Sequence, residues 1–202
     1  GAYHTITLGT CENCSDGWKY GEDQYDYPNP PSLEYTNIHF FHLDWFGQID
    51  TNGVQCNGTT FSTDFRSIHP NSELIIWGIR GSTGNSLPTD IPIHLSWDTA
   101  AVDSLSDDYD LFLYIGEDGH NMRQTNTITI FQEEMYLNEN FETNIKVLMG
   151  ACAGSGLTDI YYEDQDGDGL GNAGGVGVEY CTGFQPEGLV ANNDDIDDDC
   201  YS

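Results

Sequence analysis

From Gly156 to Ser202 the chain holds about forty-six residues that are rich in glycine and acid and poor in apolar side chains. A segment of that size and composition cannot bury enough apolar surface to offset the entropy of ordering it, so it needs staples. The sequence offers two kinds, cysteines and closely spaced aspartates. Whatever precedes the segment must supply the hydrophobic core. The change of character at Gly154-Ser155-Gly156 therefore marks a boundary, with a core domain over 1–153 and an acidic segment over 154–202.

Charge narrows the function classes. Lys plus Arg number 5 and Asp plus Glu 34, for a formal charge of -29. A field of that sign repels nucleic acid and anionic lipid. It attracts cations, and the chain repels itself unless bound cations offset the charge. Hydrophobic residues make up 38% of the chain, enough to build a core and to set wholesale disorder aside. No apolar run approaches the roughly 18 residues that a membrane-spanning helix needs. The chain begins at Gly1 rather than Met, as a secreted chain does after its signal peptide is removed.

Six cysteines, Cys11, Cys14, Cys56, Cys152, Cys181 and Cys200, fit the same oxidising compartment and predict up to three disulfides. Cys181 and Cys200 bracket one short segment and are expected to pair. Cys11 and Cys14 form a CxxC. A zinc ribbon needs a second such pair and a thioredoxin-like motif needs a βαβ context, so a simple disulfide is expected here. Two sequons, at Asn13 and Asn57, are candidate glycosylation sites.

The first 150 or so residues read as strands. Thr5 to Gly9, Glu34 to Phe46, Glu73 to Gly81, Ile91 to Asp98, Tyr109 to Gly116, Asn126 to Gln132 and Asn144 to Gly150 are short, β-prone and bounded by turn residues. In the fourth run Ile91, Ile93, Leu95 and Trp97 share one face, and Pro92 on the other face suggests an edge strand or a strand start. Glu117 to Asn121 contains Asp-Gly and reads as a hairpin turn. No stretch has a helical period, although Met135 to Thr143 has room for one turn. The expected fold is all-β, an antiparallel β-sandwich of jelly-roll or immunoglobulin-like type, followed by a small irregular segment stapled by calcium.

The staple is legible in "YYEDQDGDGLGNAGG", Tyr161 to Gly175. Calcium takes six to eight hard oxygens. Asp164, Asp166 and Asp168 can converge on one ion if the loop curls, and the interleaved glycines permit the positive φ that curling requires. The Leu170 carbonyl and the Asn172 side chain are further candidate ligands. An EF-hand wants Glu at the twelfth position, which here is Gly175, so that motif is excluded. The missing carboxylates are sought in "NNDDIDDDC", at Asp195, Asp197 and Asp198. Calcium is preferred to magnesium for its ligand number and tolerance of a flexible loop, and an all-oxygen set disfavours copper and zinc. The alternative is a solvated acidic tail.

The stretch from Tyr161 to Cys200 resembles the short metal-binding-motif repeat of bacterial surface proteins, and more loosely the thrombospondin type 3 calcium repeats. The resemblance rests on Tyr162 to Gly169, Cys181, Pro186-Glu187-Gly188-Leu189-Val190 and Asp195-Ile196-Asp197-Asp198. Leu189 stands in place of a usual tyrosine, and Ile196 where a second cysteine would be. The resemblance implies extracellular cation binding and no enzymatic activity. The preceding region loosely resembles β-sandwich modules of secreted multidomain bacterial proteins.

Other candidates for chemistry have plainer readings. His39 and His42 lie three apart in a strand, face opposite sides and are poor joint ligands. His4, His69, His94 and His120 show no partner pattern. "GACAGSG" lacks the spacing and the following helix of a nucleophile elbow. Trp45, Trp77 and Trp97 could make a sugar platform, but apolar strand faces point to core. The expected function is that of a secreted calcium-binding structural or adhesive surface subunit, not an enzyme, self-assembling into a filament or layer. The N-terminal strand or the C-terminal segment would reach the next copy; the equal alternative is that Thr5 to Gly9 pairs within its own sandwich. A carbohydrate-binding module, with surface glycans as partners, is the alternative.

Overall fold

The computed structural model describes residues 4–26, 35–70, 72–84, 88, 90–135 and 143–196. The chain is all-β. In order, its strands are β1 (Thr7–Cys11), β2 (Thr36–Phe41), β3 (Thr60–Phe61), β4 (Thr63–Ser67), β5 (Ile75–Thr83), β6 (Ile93–Ser96), β7 (Asp110–Ile115), β8 (Asp118–Asn121), β9 (Thr127–Ile130), β10 (Ile145–Gly150), β11 (Thr158–Glu163), β12 (Val178–Cys181) and β13 (Leu189–Val190). Among the described residues, helix is confined to α1 (Thr99–Asp103), capped by the Asp98 side chain, and a 3₁₀ turn at Gln132–Met135. The turn expected from Met135 onward falls largely on 136–142, outside the described residues. No helix among the described residues is long and apolar enough to cross a membrane.

The chain forms two compact units. The first comprises Gly1–Ile68, Ile76–Ser104 and Phe112–Val147, the second His69–Ile75, Leu105–Leu111 and Leu148–Ser202. The largest sheet has the order β3-β2-β5-β10-β7-β8, and β6 pairs with β9 in a separate ribbon. The pairs β2–β3, β2–β5, β7–β8 and β6–β9 are antiparallel. β6 starts immediately after Pro92 and has one partner, which suits a residue that cannot donate to a ladder.

Two local readings are decided by the structure. Asp118 and Gly119 do not form the hairpin turn; they open β8, opposite Ile115 and Tyr114. Gly116, at φ +60°, makes the turn instead. Gly119 is required where it is because a side chain there would run into the Tyr114 ring. Second, the N-terminal strand is paired within the chain. β1 runs parallel to β4, Thr7 opposite Thr63 through Cys11 opposite Ser67.

The core of the first unit is built from Phe40, Trp45, Phe61, Trp77, Ile130, Met135, Ile145 and Val147, all fully buried. Each such side chain contributes about 1.5–3 kcal/mol relative to exposure. Within this core sits a buried carboxylate, Asp64, with no exposed surface. Arg66 donates to it through Nε (2.6 Å) and Nη2 (3.0 Å), and His42 Nε2 donates at 2.7 Å. Trp77 Nε1 donates to the Asp64 carbonyl at 3.2 Å. The His42 ring stacks on Trp45 with centroids 3.7 Å apart, and the Arg66 guanidinium lies 5.2 Å from the same ring. Burial pushes the Asp64 carboxyl up, but the hydrogen bonds from His42 and Arg66 outweigh it and hold the group below the usual range. His42 is therefore a packed, hydrogen-bonded core residue, and Trp45 and Trp77 are core rather than a sugar platform.

Asp23 is also buried, but without a cation. Its oxygens accept from the Phe65 N–H (3.2 Å) and the Lys19 N–H (2.9 Å). Desolvation, helped by the charges of Asp64 and Glu22, raises its pKa to about 6. A raised carboxylate stabilises the fold when protonated. Its contribution is complete below the unfolded value of 3.8 and is lost as pH rises through about 6. At about 1.4 kcal/mol per unit, the change reaches up to about 3 kcal/mol. Asp23→Asn should therefore gain stability relative to the parent by up to that amount between about pH 4 and pH 7. Denaturant unfolding of both chains in chelator, stepped through that range, measures it; a constant difference across the range would refute the assignment.

Candidate metal centre

The second unit carries the acidic loop. Its sheet has the order β12-β11-β13, both pairs antiparallel, with Tyr161 opposite Val178 and Tyr162 opposite Val190. A disulfide joins Cys152, just after β10, to Cys181 at the end of β12, with Cα atoms 5.3 Å apart. This corrects the expected pairing of Cys181 with Cys200; Cys200 lies outside the described residues. Spacing along the chain favoured Cys200, but the fold returns Cys181 beside the end of β10, where the Cys181 N–H also donates to the Ser72 carbonyl at 2.7 Å. Cys11 and Cys14 are bonded as expected, with Cα atoms 5.2 Å apart. Cys56 is buried and free, its thiol donating to the Gly58 carbonyl, so a third disulfide through it is not formed. Asn13 and Asn57 are both exposed.

The loop leaves β11 and curls at once. Asp164, Asp166, Asp168 and Leu170 are half-buried, whereas Gln165, Gly167 and Gly169 face out. Gly167 and Gly169 adopt φ of +78° and +90°, which an L side chain resists. Each aspartate binds backbone ahead of it. Asp164 accepts from the N–H groups of Gly167 (2.8 Å) and Gly169 (3.1 Å), Asp166 from Asp168 (3.0 Å), and Asp168 from Leu170 (2.8 Å). The result is convergence, with one carboxylate oxygen from each of Asp164, Asp166 and Asp168 lying within 4.8 Å of the others. The second oxygen of Asp166 is buried and accepts no hydrogen bond. Desolvation, with the charges of Asp168, Asp195 and Asp164, raises the Asp166 pKa.

The remaining predicted ligands divide. Asp195 is buried and is tied to the loop through its backbone, its N–H donating to the Gly171 carbonyl (2.9 Å) and its carbonyl accepting from Ala173 (2.6 Å). Its charge reaches Asp166. Asn172 pairs with Asp195 through the backbone but turns its side-chain oxygen to the Gly174 N–H at 2.8 Å. Leu170 presents its N–H to Asp168, and Asp197 and Asp198 lie outside the described residues. Asn192 was not singled out from sequence, yet it clamps the loop. It accepts from the Gly171 N–H (3.1 Å) and donates to the Gly169 carbonyl (3.0 Å). Gly171 is buried against the Asn192 carbonyl, Tyr162 and Val190, where any side chain would collide.

The arrangement suits a hard cation, since three carboxylates converge and one of them, Asp166, keeps a buried oxygen that no donor satisfies. Compared with family models, curated proteins and solved structures, the chain finds no match.

Mutual repulsion gives a prediction with opposite signs in two conditions. In chelator, Asp166→Asn removes one of several like charges and should raise the thermal midpoint of the second unit. In saturating calcium it removes a ligand, and the same variant should melt below the parent. Calorimetric scans under both conditions decide this, and a shift of the same sign in both would rule out a shared ion.

Proposed function

We propose that the chain is a secreted calcium-binding subunit with a structural or adhesive role at a cell surface, and that copies of it assemble into an extracellular filament or layer. The observation that carries the calcium part is the convergence of Asp164, Asp166 and Asp168, one of which keeps a buried oxygen that accepts no hydrogen bond. Asp195, held against the same loop, adds a fourth carboxylate. Bound calcium would offset the repulsion and order a segment that lacks an apolar core. The two disulfides fit an oxidising compartment.

Assembly is supported by apolar exposure. Leu43, Phe46 and Ile49 stand well out from the first unit, on the stretch that follows β2. Two of the three tryptophans considered for a sugar platform, Trp45 and Trp77, are buried, and Trp97 is half-buried with its Nε1 donating to the Met122 carbonyl at 2.9 Å, which weighs against the sugar-binding alternative. β1 already has a partner in its own chain, so exchange of that strand between copies is not required for association.

Calorimetric titration with calcium, paired with light scattering before and after chelation, tests the reading. Saturable binding is expected, together with larger particles in calcium than in chelator. Absence of binding at millimolar calcium removes the calcium part; a monomer at every calcium concentration removes the assembly part.

A further inference from the structure

Asparagine followed by glycine is chemically the least durable asparagine pair, and the chain contains it twice, at Asn52-Gly53 and Asn57-Gly58. The backbone nitrogen after an asparagine can attack the side-chain amide, and glycine leaves that nitrogen unhindered because it has no Cβ. The attack needs a glycine N–H that is not held and an amide free to swing over it. Both asparagines are exposed, but the fold treats the two pairs differently. At the first, the Gly53 N–H donates to the Asp50 carbonyl at 3.0 Å and the Asn52 N–H to Asp50 Oδ1 at 2.9 Å. The Asp50 carboxylate also disfavours the anionic nitrogen that the attack requires. At the second, the Gly58 N–H donates to no group among the described residues, and both residues lie outside any strand, helix or turn. The Asn57 side chain makes one bond, Nδ2 to the Gln55 carbonyl at 3.2 Å, at the surface where water can replace it. Tyr25 explains the glycine. A Cβ on Gly58 would lie 2.7 Å from the Tyr25 ring, whose hydroxyl accepts from the Asn57 N–H at 3.0 Å. Packing therefore fixes glycine after Asn57, and with it the unhindered nitrogen.

We propose that Asn57 is a site of spontaneous covalent modification, at which the folded chain deamidates through a cyclic imide to aspartate and isoaspartate. The Gly58 nitrogen gives its proton to solvent base and attacks Asn57 Cγ. A carbon–nitrogen bond forms, the Cγ–Nδ2 bond breaks, and the amide leaves as ammonia after taking up a proton. Water then adds to either carbonyl of the imide and opens the ring, so the only co-reactant is water. Both products add a negative charge to a chain that already carries -29. The isoaspartyl product also routes the main chain through the former side chain, lengthening it by a methylene between Cys56 and β3. In that stretch the Gly58 carbonyl accepts from the Cys56 thiol at 3.4 Å and the Thr59 carbonyl from the His42 N–H at 2.9 Å. β3 is the edge strand of the largest sheet, so the change falls where the sheet has a partner on one side alone. With time the first unit becomes more acidic and that edge loosens.

The test holds the full chain at mildly alkaline pH, one sample folded in calcium and one in denaturant, and maps both by peptide mass spectrometry over time. Exchange of the amide for an acid raises the mass, fragment ions place it at Asn52 or Asn57, and chromatography separates the isoaspartyl form. In the folded chain Asn57 should convert faster than Asn52 by about fivefold or more, the factor that one hydrogen bond of ordinary strength contributes. In denaturant the two should convert at comparable rates, because both precede glycine and neither is held. Asn57→Gln should remove the main product of the folded chain, since the larger ring that glutamine must close forms far more slowly, and Asn52→Gln should leave that product in place. The Asn57 side chain makes only its surface bond, so the glutamine variant keeps the fold. Conversion of Asn52 as fast as Asn57 in the folded chain, a product that survives Asn57→Gln, or a folded chain intact at Asn57 while the denatured chain converts would each overturn the proposal. So would a glycan on Asn57 Nδ2, which the same mapping detects and which blocks the leaving amide.

Discussion

Unbalanced negative charge governs this molecule. With 34 carboxylates and 5 basic side chains, most acids cannot be paired within the chain. The fold places its few cations with economy. Arg66 goes to Asp64, the most deeply buried carboxylate, and binds it with two nitrogens while His42 supplies a third donor. Removing one partner of such a network leaves an uncompensated buried charge, which costs far more than the intact network contributes. Lys19 pairs with Glu22 at 2.8 Å near the surface, where an ion pair contributes little. Asp23 and Asp166 receive no basic partner, and both are pushed up in pKa as a result.

The two unpartnered carboxylates resolve the problem differently. Asp23 sits alone among backbone donors, and protonation relieves it. Asp166 sits among Asp164, Asp168 and Asp195, where protonation of one group leaves the others still in mutual repulsion. A divalent cation, if bound there, would relieve all of them together. This separates an acid tolerated in a core from acids gathered around a site. Asp23 is surrounded by β-sheet that holds without it, while the acidic loop has few apolar contacts with which to bear the repulsion.

Much of this was legible because the signals are local. An apolar run ended by glycine located β5, alternation of apolar and polar residues located β6, and a β-prone run located β9, each to within a few positions, and the Asp-x-Asp-Gly-Asp-Gly spacing located the convergent aspartates. Readings failed where the deciding partner is distant in sequence. Asp118-Gly119 has the composition of a turn, but Gly116 turns first and Tyr114 needs the space over Gly119. Cys181 was matched to its near neighbour along the chain, yet β12 returns it to Cys152, 29 residues earlier. β1 could not be paired from sequence because its partner β4 runs parallel, more than fifty residues on, with no connecting turn to announce it.

The two units also differ in what they ask of their surroundings. In the acidic loop Asp164, Asp166 and Asp168 repel one another, so in the proposed reading its folding and its loading would be one process. In the first unit the buried Asp64 is neutralised from within, by Arg66 and His42, and the apolar core around it is complete. The stability of that unit should therefore follow its packing and its buried charges, and the stability of the loop should follow the cation.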